Sequence, residues 1–268
     1  MKKTLIAMTV AASAVVSGSA MAGSWVSSGT GGTFEMSGTL SPETGNPWEV
    51  YVGDAVSGLD AVATTGQSEF DITISQPVPV LGIRVADASK TFSAPALVDG
   101  SGLNPQIDFN GAVDTGAFSS GVSTLTLELT DATGQRIGEM TAPFTAVAAS
   151  SYSNGSASNA YSLYSSSNSY AFFGGLGTKA SSAVSNPVSV AEQIDPSFTA
   201  NFENFGNSFD TTFYPVSFNA YGVNVLYSGF YGSGIQNGSV IKITLDSPVS
   251  GTSAIQWKAS LPVTVTYA

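Results

Sequence analysis

The stretch TFEMSGTL, residues 33–40, decides the fold because apolar or small side chains occupy every second position. Period-two alternation places one set of side chains on one face of an extended strand. That set is Phe34, Met36, Gly38 and Leu40. A second alternating stretch, residues 261–268, has Val263, Val265 and Tyr267 on one face. Two such strands in an exported, cysteine-free chain predict a subunit that exchanges a strand with its neighbour.

The same alternation would also suit the first strand of the chain's own domain. Two features favour a strand that is donated to another copy. The stretch lies close to the start of the mature chain, behind the small polar residues 27–32. Gly38 lies within the alternating set, where a missing side chain permits close backbone approach to a partner. We therefore interpret residues 23–40 as a donor extension and residues 41–268 as the domain.

Residues 1–22 have the pattern of a secretory signal peptide. Lys2 and Lys3 precede a short apolar run, and Ala20-Met21-Ala22 offers a small-x-small cleavage site before Gly23. The apolar run is too short to span a bilayer. The chain is therefore predicted to be exported from the cytoplasm.

The composition excludes several classes of function. The signal contains two of the eight basic residues, so the mature chain has six basic residues against 19 acidic ones. Nucleic-acid binding needs clustered Lys and Arg, and is excluded on this basis. The chain has no histidine and no cysteine, so it can form neither a Ser-His-Asp nor a Cys-His catalytic site. We expect no disulfide, no metal, no cofactor and no enzymatic activity.

Short alternating runs separated by turn residues predict an all-β sandwich or barrel. The clearest hairpin joins residues 122–130 to residues 136–147 through Asp131-Ala132-Thr133-Gly134, where Gly134 can adopt positive φ. The other predicted strands are residues 48–52, 70–75, 80–86, 212–219, 223–227, 240–245 and 263–267. A short helix is predicted over residues 188–194, ended by Pro196.

An insertion at about residues 150–210 differs in composition from the rest of the chain. It is rich in Ser, Asn and Gly, and tyrosines recur in its first part. One interpretation is a set of solvated loops. The other is a ligand-binding surface, because Tyr and Ser supply stacking area and adaptable hydrogen bonds. The candidate residues are Tyr152, Tyr161, Tyr164 and Tyr170.

Several stretches, in order along the chain, resemble the FaeG-type fimbrial major subunits, the kappa class of chaperone–usher fimbriae. The signal peptide is similar, and so is the early Gly-rich alternating stretch followed by Trp48-Glu49-Val50. The remaining similar stretches are residues 92–95, 104–109, 171–176, 256–257 and 261–267.

The resemblance implies an incomplete immunoglobulin-like sandwich that is completed by donor-strand exchange and bears a large loop and short-helix insertion. It implies that Phe34, Met36, Gly38 and Leu40 form the donor set. It also implies that Val263, Val265 and Tyr267 face the groove and are presented to a periplasmic chaperone. The implied partners are other subunits in a homopolymer, the chaperone, an outer-membrane usher, and host glycoprotein or glycolipid glycans bound by the subunit as adhesin.

Two other classes of protein are compatible with parts of the sequence. A small outer-membrane β-barrel would suit the signal peptide, the acidity and the abundance of Gly, Tyr and Phe. Its strands should, however, run about ten residues with unbroken alternation, and few stretches here do so. A polysaccharide hydrolase could use two of the 19 carboxylates, but no spacing marks two of them as partners.

Overall fold

The computed structural model describes residues 46–86, 89, 91–93, 103–206, 208–209, 212–219 and 225–268, within one compact unit, Pro42–Ala268. These residues form strands, one α-helix (α1, Pro187–Ile194) and two 3-10 turns (Ala180–Ser182 and Pro196–Thr199). The strands are β1 Trp48–Val52, β2 Glu69–Thr73, β3 Val78–Val85, β4 Phe92–Ser93, β5 Pro105–Asp108, β6 Val122–Thr130, β7 Arg136–Ser153, β8 Ser158–Ser162, β9 Leu226–Ile235, β10 Val240–Leu245, β11 Lys258–Ala259 and β12 Thr264–Tyr267.

The strands form an antiparallel sandwich, which confirms the all-β prediction. The main sheet has the order β1-β3-β9-β7-β10-β2, and β12 pairs with β5 in a separate two-stranded sheet. Strand β7 is 18 residues long and changes partners along its length. Its first half pairs with β6 and β10, whereas its second half pairs with β9 and β8. Strand β7 therefore joins the part of the sandwich that contains β6 and β10 to the part that contains β9 and β8. One continuous apolar core runs through both parts.

The hairpin between β6 and β7 forms where the sequence predicts it. Leu125, Leu127 and Leu129 are buried in alternation with exposed neighbours. The Asp131 carboxylate accepts hydrogen bonds from the backbone N–H of Thr133 at 2.8 Å and of Gln135 at 2.9 Å. The Thr133 hydroxyl also donates to this carboxylate, and these bonds lower the pKa of Asp131. Gly134 adopts φ +85°, as the turn requires.

Helix α1 packs against the outer face of the main sheet. It starts at Pro187, where the missing N–H costs nothing, and the Asn186 side chain caps it by accepting from the Ser189 N–H. Pro196 follows its end, as predicted. Behind the helix is a small apolar cluster formed by Val147, Ala149, Ala191, Ile194, Phe198 and Phe230.

Three predicted elements differ from the structure. No strand forms over the described residues 212–219, where the chain makes only an isolated bridge at Tyr214. Within the described residues, the predicted strand 223–227 overlaps β9 only at Leu226 and Tyr227, and β9 extends to Ile235. The predicted loops after residue 150 instead begin with the end of β7 and with β8. None of the described helices is long and apolar enough to cross a membrane.

Candidate functional site: an apolar groove and a tyrosine surface

An apolar groove opens into the sandwich core. It has a volume of about 810 Å³, and its walls are core side chains contributed by several strands. The wall residues are Phe70, Leu125, Leu127, Met140, Ile235, Ile241, Ile243 and Leu245. All but Leu245 are buried, which shows that the groove is continuous with the core.

Two irregular segments form the rims of this groove. The first rim is residues 53–63, which form no strand, although Gly53 donates its backbone N–H to the Val80 carbonyl of β3 at 2.9 Å. The second rim is residues 251–263, in which only the short β11 is a strand. Val52, Val56 and Ile255 line the groove yet are 57%, 48% and 43% exposed. Partly exposed apolar side chains beside backbone that lies mostly outside the sheets are the features of an edge that can bind a further strand.

The residue before β1 and the last residue of β12 contact each other. A hydrogen bond joins the Asn46 side chain to the Tyr267 hydroxyl. Burial raises the pKa of Tyr267, and this hydrogen bond opposes the rise. Since Asn46 precedes β1 and Tyr267 ends β12, the two segments run in opposite directions from this point along the groove.

The three C-terminal candidate residues lie on one face of the last segment. Val263 lines the groove, and Val265 and Tyr267 pack against the core from β12. Their even-numbered neighbours are exposed. The other four candidates of the strand-exchange hypothesis, Phe34, Met36, Gly38 and Leu40, lie outside the described residues.

The structure brings two of the four candidate tyrosines together. The rings of Tyr152 and Tyr161 stack with centroids 6.2 Å apart. Tyr214 meets the Tyr161 ring edge-on at 4.6 Å. Tyr164 and Tyr170 make no ring contact within the described part of the chain, and instead engage through backbone groups with Tyr214 and Ser167.

The tyrosine surface, defined as Tyr152, Tyr161 and Tyr214, is partly exposed. Burial is the main cause that raises the pKa of Tyr161, and its hydrogen bond with Tyr152 adds to the rise. The Asn159 side-chain amide donates to the Tyr161 hydroxyl at 3.2 Å. Adjacent rings with polar groups at their edges can stack on a flat apolar ligand face and hydrogen-bond its hydroxyls.

Sequence reasoning missed Tyr214 and the groove walls. Tyr214 lies in a stretch predicted as a strand, and its bridge with Leu163 and its N–H bond to the Ser162 carbonyl place it beside the end of β8. The wall residues, such as Leu125 and Ile241, were evident as alternating apolar positions. Alternation does not reveal, however, which part of the core lines a groove. No group of three acidic residues within the described ranges is placed to hold a metal ion.

The fold and groove define a class of protein: an all-β sandwich whose core side chains line an apolar groove between two largely irregular segments. The whole chain, residues 1–268, matches the family described as fimbrial, major and minor subunit. The chain belongs to this family, which is a family of fimbrial structural subunits. It is similar over its full length to three Escherichia coli proteins, each also covered in full: K88 fimbrial protein AB (28% identical), AD (29%) and AC (27%).

Proposed function

We propose that this chain is a surface fimbrial subunit that polymerises by donor-strand exchange. In this mechanism residues 33–40 of one copy fill the groove of the next. The observation that supports the proposal is the apolar groove, whose walls are core side chains and whose rims are largely irregular segments. A head-to-tail contact of this kind does not close on itself, so it produces a filament.

The dimensions and chemistry of residues 33–40 suit the groove. Eight extended residues span about 26 Å, and the groove is lined by strands and by the irregular segment 53–63. The alternating set would direct Phe34, Met36 and Leu40 towards the groove walls. Burying these three side chains contributes roughly 1.5–3 kcal/mol each. Backbone hydrogen bonds to the rims would add to this, so dissociation would be slow because it uncovers core surface.

The proposal includes partners that keep the groove covered before assembly. The predicted signal peptide directs the chain to the periplasm, where an unprotected groove would aggregate. A periplasmic chaperone would cover it by contacting the C-terminal segment at Val263, Val265 and Tyr267. An outer-membrane usher would then exchange the chaperone for residues 33–40 of the next subunit.

The substitution Phe34→Arg tests strand exchange. Strand exchange predicts that the native protein, run on an SDS gel without boiling, shows a ladder of multimers. Phe34→Arg places a charge where the groove walls are apolar, so we expect this ladder to disappear. The chaperone-bound monomer should persist, because that complex uses the groove rather than the donor stretch. Thr33→Arg, which changes the opposite face of the same strand, is the matched control and should keep the ladder. A persistent ladder in Phe34→Arg, or loss of the chaperone-bound monomer as well, would contradict the proposal.

A second role, as an adhesin for host glycans, is supported by the tyrosine surface. Contact between the Tyr161 and Tyr214 rings gives a stacking area, and Asn159 provides a polar edge. The test is binding of the assembled polymer to a panel of immobilised glycans. We expect Tyr161→Ala to reduce binding without altering the multimer ladder, whereas Tyr164→Ala, outside the cluster, should not. Equal binding by the Tyr161→Ala and native polymers would exclude this role.

A further inference from the structure

We propose that Asn154 is a modification site at which the side-chain carboxamide is converted to a carboxylate without an enzyme. The backbone nitrogen of Gly155 attacks the Asn154 side chain, and water hydrolyses the product. The site lies at the tip of the β7–β8 hairpin, two residues beyond Tyr152 of the tyrosine surface, and the conversion adds a negative charge there. The inference depends on neither strand exchange nor glycan binding.

The sequence contains three Asn-Gly pairs, at residues 110–111, 154–155 and 237–238. Glycine after asparagine favours this reaction because it has no Cβ to hinder the attacking nitrogen. All three pairs are exposed, so water reaches each of them. The second and third pairs are followed by serine and form the same triplet, Asn-Gly-Ser. The local sequence therefore predicts similar reactivity for these two, and a difference between them must come from the fold.

The turn at Asn154 assists the attack. Its carboxamide oxygen accepts the backbone N–H groups of Ser156 at 3.0 Å and of Ala157 at 2.7 Å. Attack on the carboxamide carbon moves an electron pair onto this oxygen, so both donors stabilise the negative charge that develops there. The attacking group is weakly held, because the Gly155 N–H donates only to the Ser153 hydroxyl at 3.4 Å, longer than an ordinary N–H···O bond.

The same triplet in the β9–β10 turn is blocked by the fold. The Gly238 N–H donates to the Ile74 carbonyl at 2.8 Å, so attack by this nitrogen on Asn237 first requires the loss of a hydrogen bond to the neighbouring segment. The Ser239 N–H donates to the Gln236 carbonyl at 3.2 Å. The serine N–H that assists the reaction in the other triplet is therefore already used here.

The remaining pair, Asn110-Gly111, follows β5 and has an acidic neighbour. The Asn110 backbone N–H donates to the Asp108 carboxylate at 2.7 Å. The charge of this carboxylate opposes the negative charge that develops during attack. No N–H in the described part of the chain donates to the Asn110 carboxamide oxygen. Asn110 therefore ranks below Asn154 in reactivity.

The reaction balances with water as the co-reactant. The Gly155 nitrogen loses its proton to solvent and bonds to the side-chain carbon of Asn154. The side-chain nitrogen takes up a proton from solvent and leaves as ammonia, which closes a five-membered imide. Water then adds to one of the two imide carbonyls and breaks its bond to nitrogen. Addition at the side-chain carbonyl leaves aspartate at position 154, and addition at the main-chain carbonyl leaves isoaspartate.

Peptide mapping by mass spectrometry tests the site. The purified full chain is kept at mildly alkaline pH, and the peptides that contain the three pairs are followed over time. We expect conversion at Asn154 to be at least about fivefold faster than at Asn110 or Asn237, the effect of roughly one net hydrogen bond. In guanidinium chloride, where the turns are lost, the rates at Asn154 and Asn237 should become equal. Faster conversion at Asn110 or Asn237 in the folded chain, or the same ratio with and without denaturant, would overturn the proposal.

Two substitutions of Ser156 test the assisting donor. Ser156→Pro removes the N–H that donates to the carboxamide oxygen, and should slow conversion at Asn154 by about fivefold. Ser156→Ala keeps this N–H and should leave the rate unchanged. Conversion at Asn237, measured in the same samples, is the internal standard and should be the same in both variants. An unchanged rate in Ser156→Pro, or equal slowing in both variants, would overturn the role of the turn.

Discussion

At the residue scale, Tyr231 of β9 attaches part of the insertion to the sandwich. It is fully buried, its ring stacks on Phe172 at 5.7 Å, and its hydroxyl donates to the Gly175 carbonyl at 3.1 Å. A Cβ at Gly175 would lie 2.4 Å from the Ile107 side chain and 3.0 Å from the Tyr231 hydroxyl. Only glycine therefore permits the close approach that makes this hydrogen bond. Burial raises the pKa of Tyr231.

This burial predicts a loss of stability in alkali that depends on Tyr231. Below about pH 9 the hydroxyl is protonated in both the folded and the unfolded chain, so it contributes no pH dependence. Above about pH 10 the unfolded chain releases this proton more readily, and the free energy of unfolding falls by up to about 1.4 kcal/mol per pH unit. Urea titrations at several pH values measure the free energy of unfolding of the native chain and of Tyr231→Phe. Below about pH 9 the two free energies should differ by a constant amount, and above about pH 10 the free energy of the variant should fall less steeply. A constant difference at every pH would contradict the role of Tyr231 in this fall.

At the element scale, glycines let the outer layer pack directly on the main sheet. A Cβ at Gly82 of β3 would lie 2.4 Å from the Phe198 ring, and one at Gly232 of β9 would lie 2.6 Å from it. A Cβ at Gly234 would meet Ile194 of α1 at 2.8 Å. These three glycines lie on adjacent paired strands. They form a shallow channel that accepts Phe198 and the helix.

Gly82→Ala should therefore destabilise the domain through Phe198. Overpacking of a buried site costs about 1–3 kcal/mol, and thermal or urea unfolding would measure it. The control is the same substitution in a Phe198→Ala background, where the alanine at 82 has no ring to meet. There the cost should fall well below the cost in the native chain. An equal cost in both backgrounds would show that Phe198 is not the cause.

The same elements show what the sequence can predict. The β6–β7 hairpin was predictable because its alternation and its Asp131–Gly134 turn are local signals. Strand β9 was predicted only at its start, because beyond Tyr227 its glycines weaken the pattern and both of its faces are covered, one by the core and one by Phe198 and α1. Tyr214 was misplaced because its neighbours come from a distant part of the chain. Residues 33–40 stay a prediction, since they lie outside the described residues.

At the scale of the whole molecule, stability depends on covering the core. The chain has no cysteine, so no disulfide can compensate for an uncovered face. The core is nevertheless continuous with a groove of about 810 Å³ between two largely irregular segments. If the proposed strand exchange operates, an apolar strand that fills the groove adds to the stability of the domain. Polymerisation and folding stability would then both depend on filling the same groove.

Supplying the missing strand within one chain should therefore raise stability and prevent polymerisation together. A second copy of residues 33–40, fused after Ala268 through a short turn, could return alongside β12 into the groove. We expect calorimetry to show a Tm at least about 5 °C above that of the native monomer, and the multimer ladder to disappear. The control fusion, with serine replacing the residues equivalent to Phe34, Met36 and Leu40, should do neither. If both fusions raise the Tm equally, coverage of the groove by apolar side chains is not what stabilises the domain.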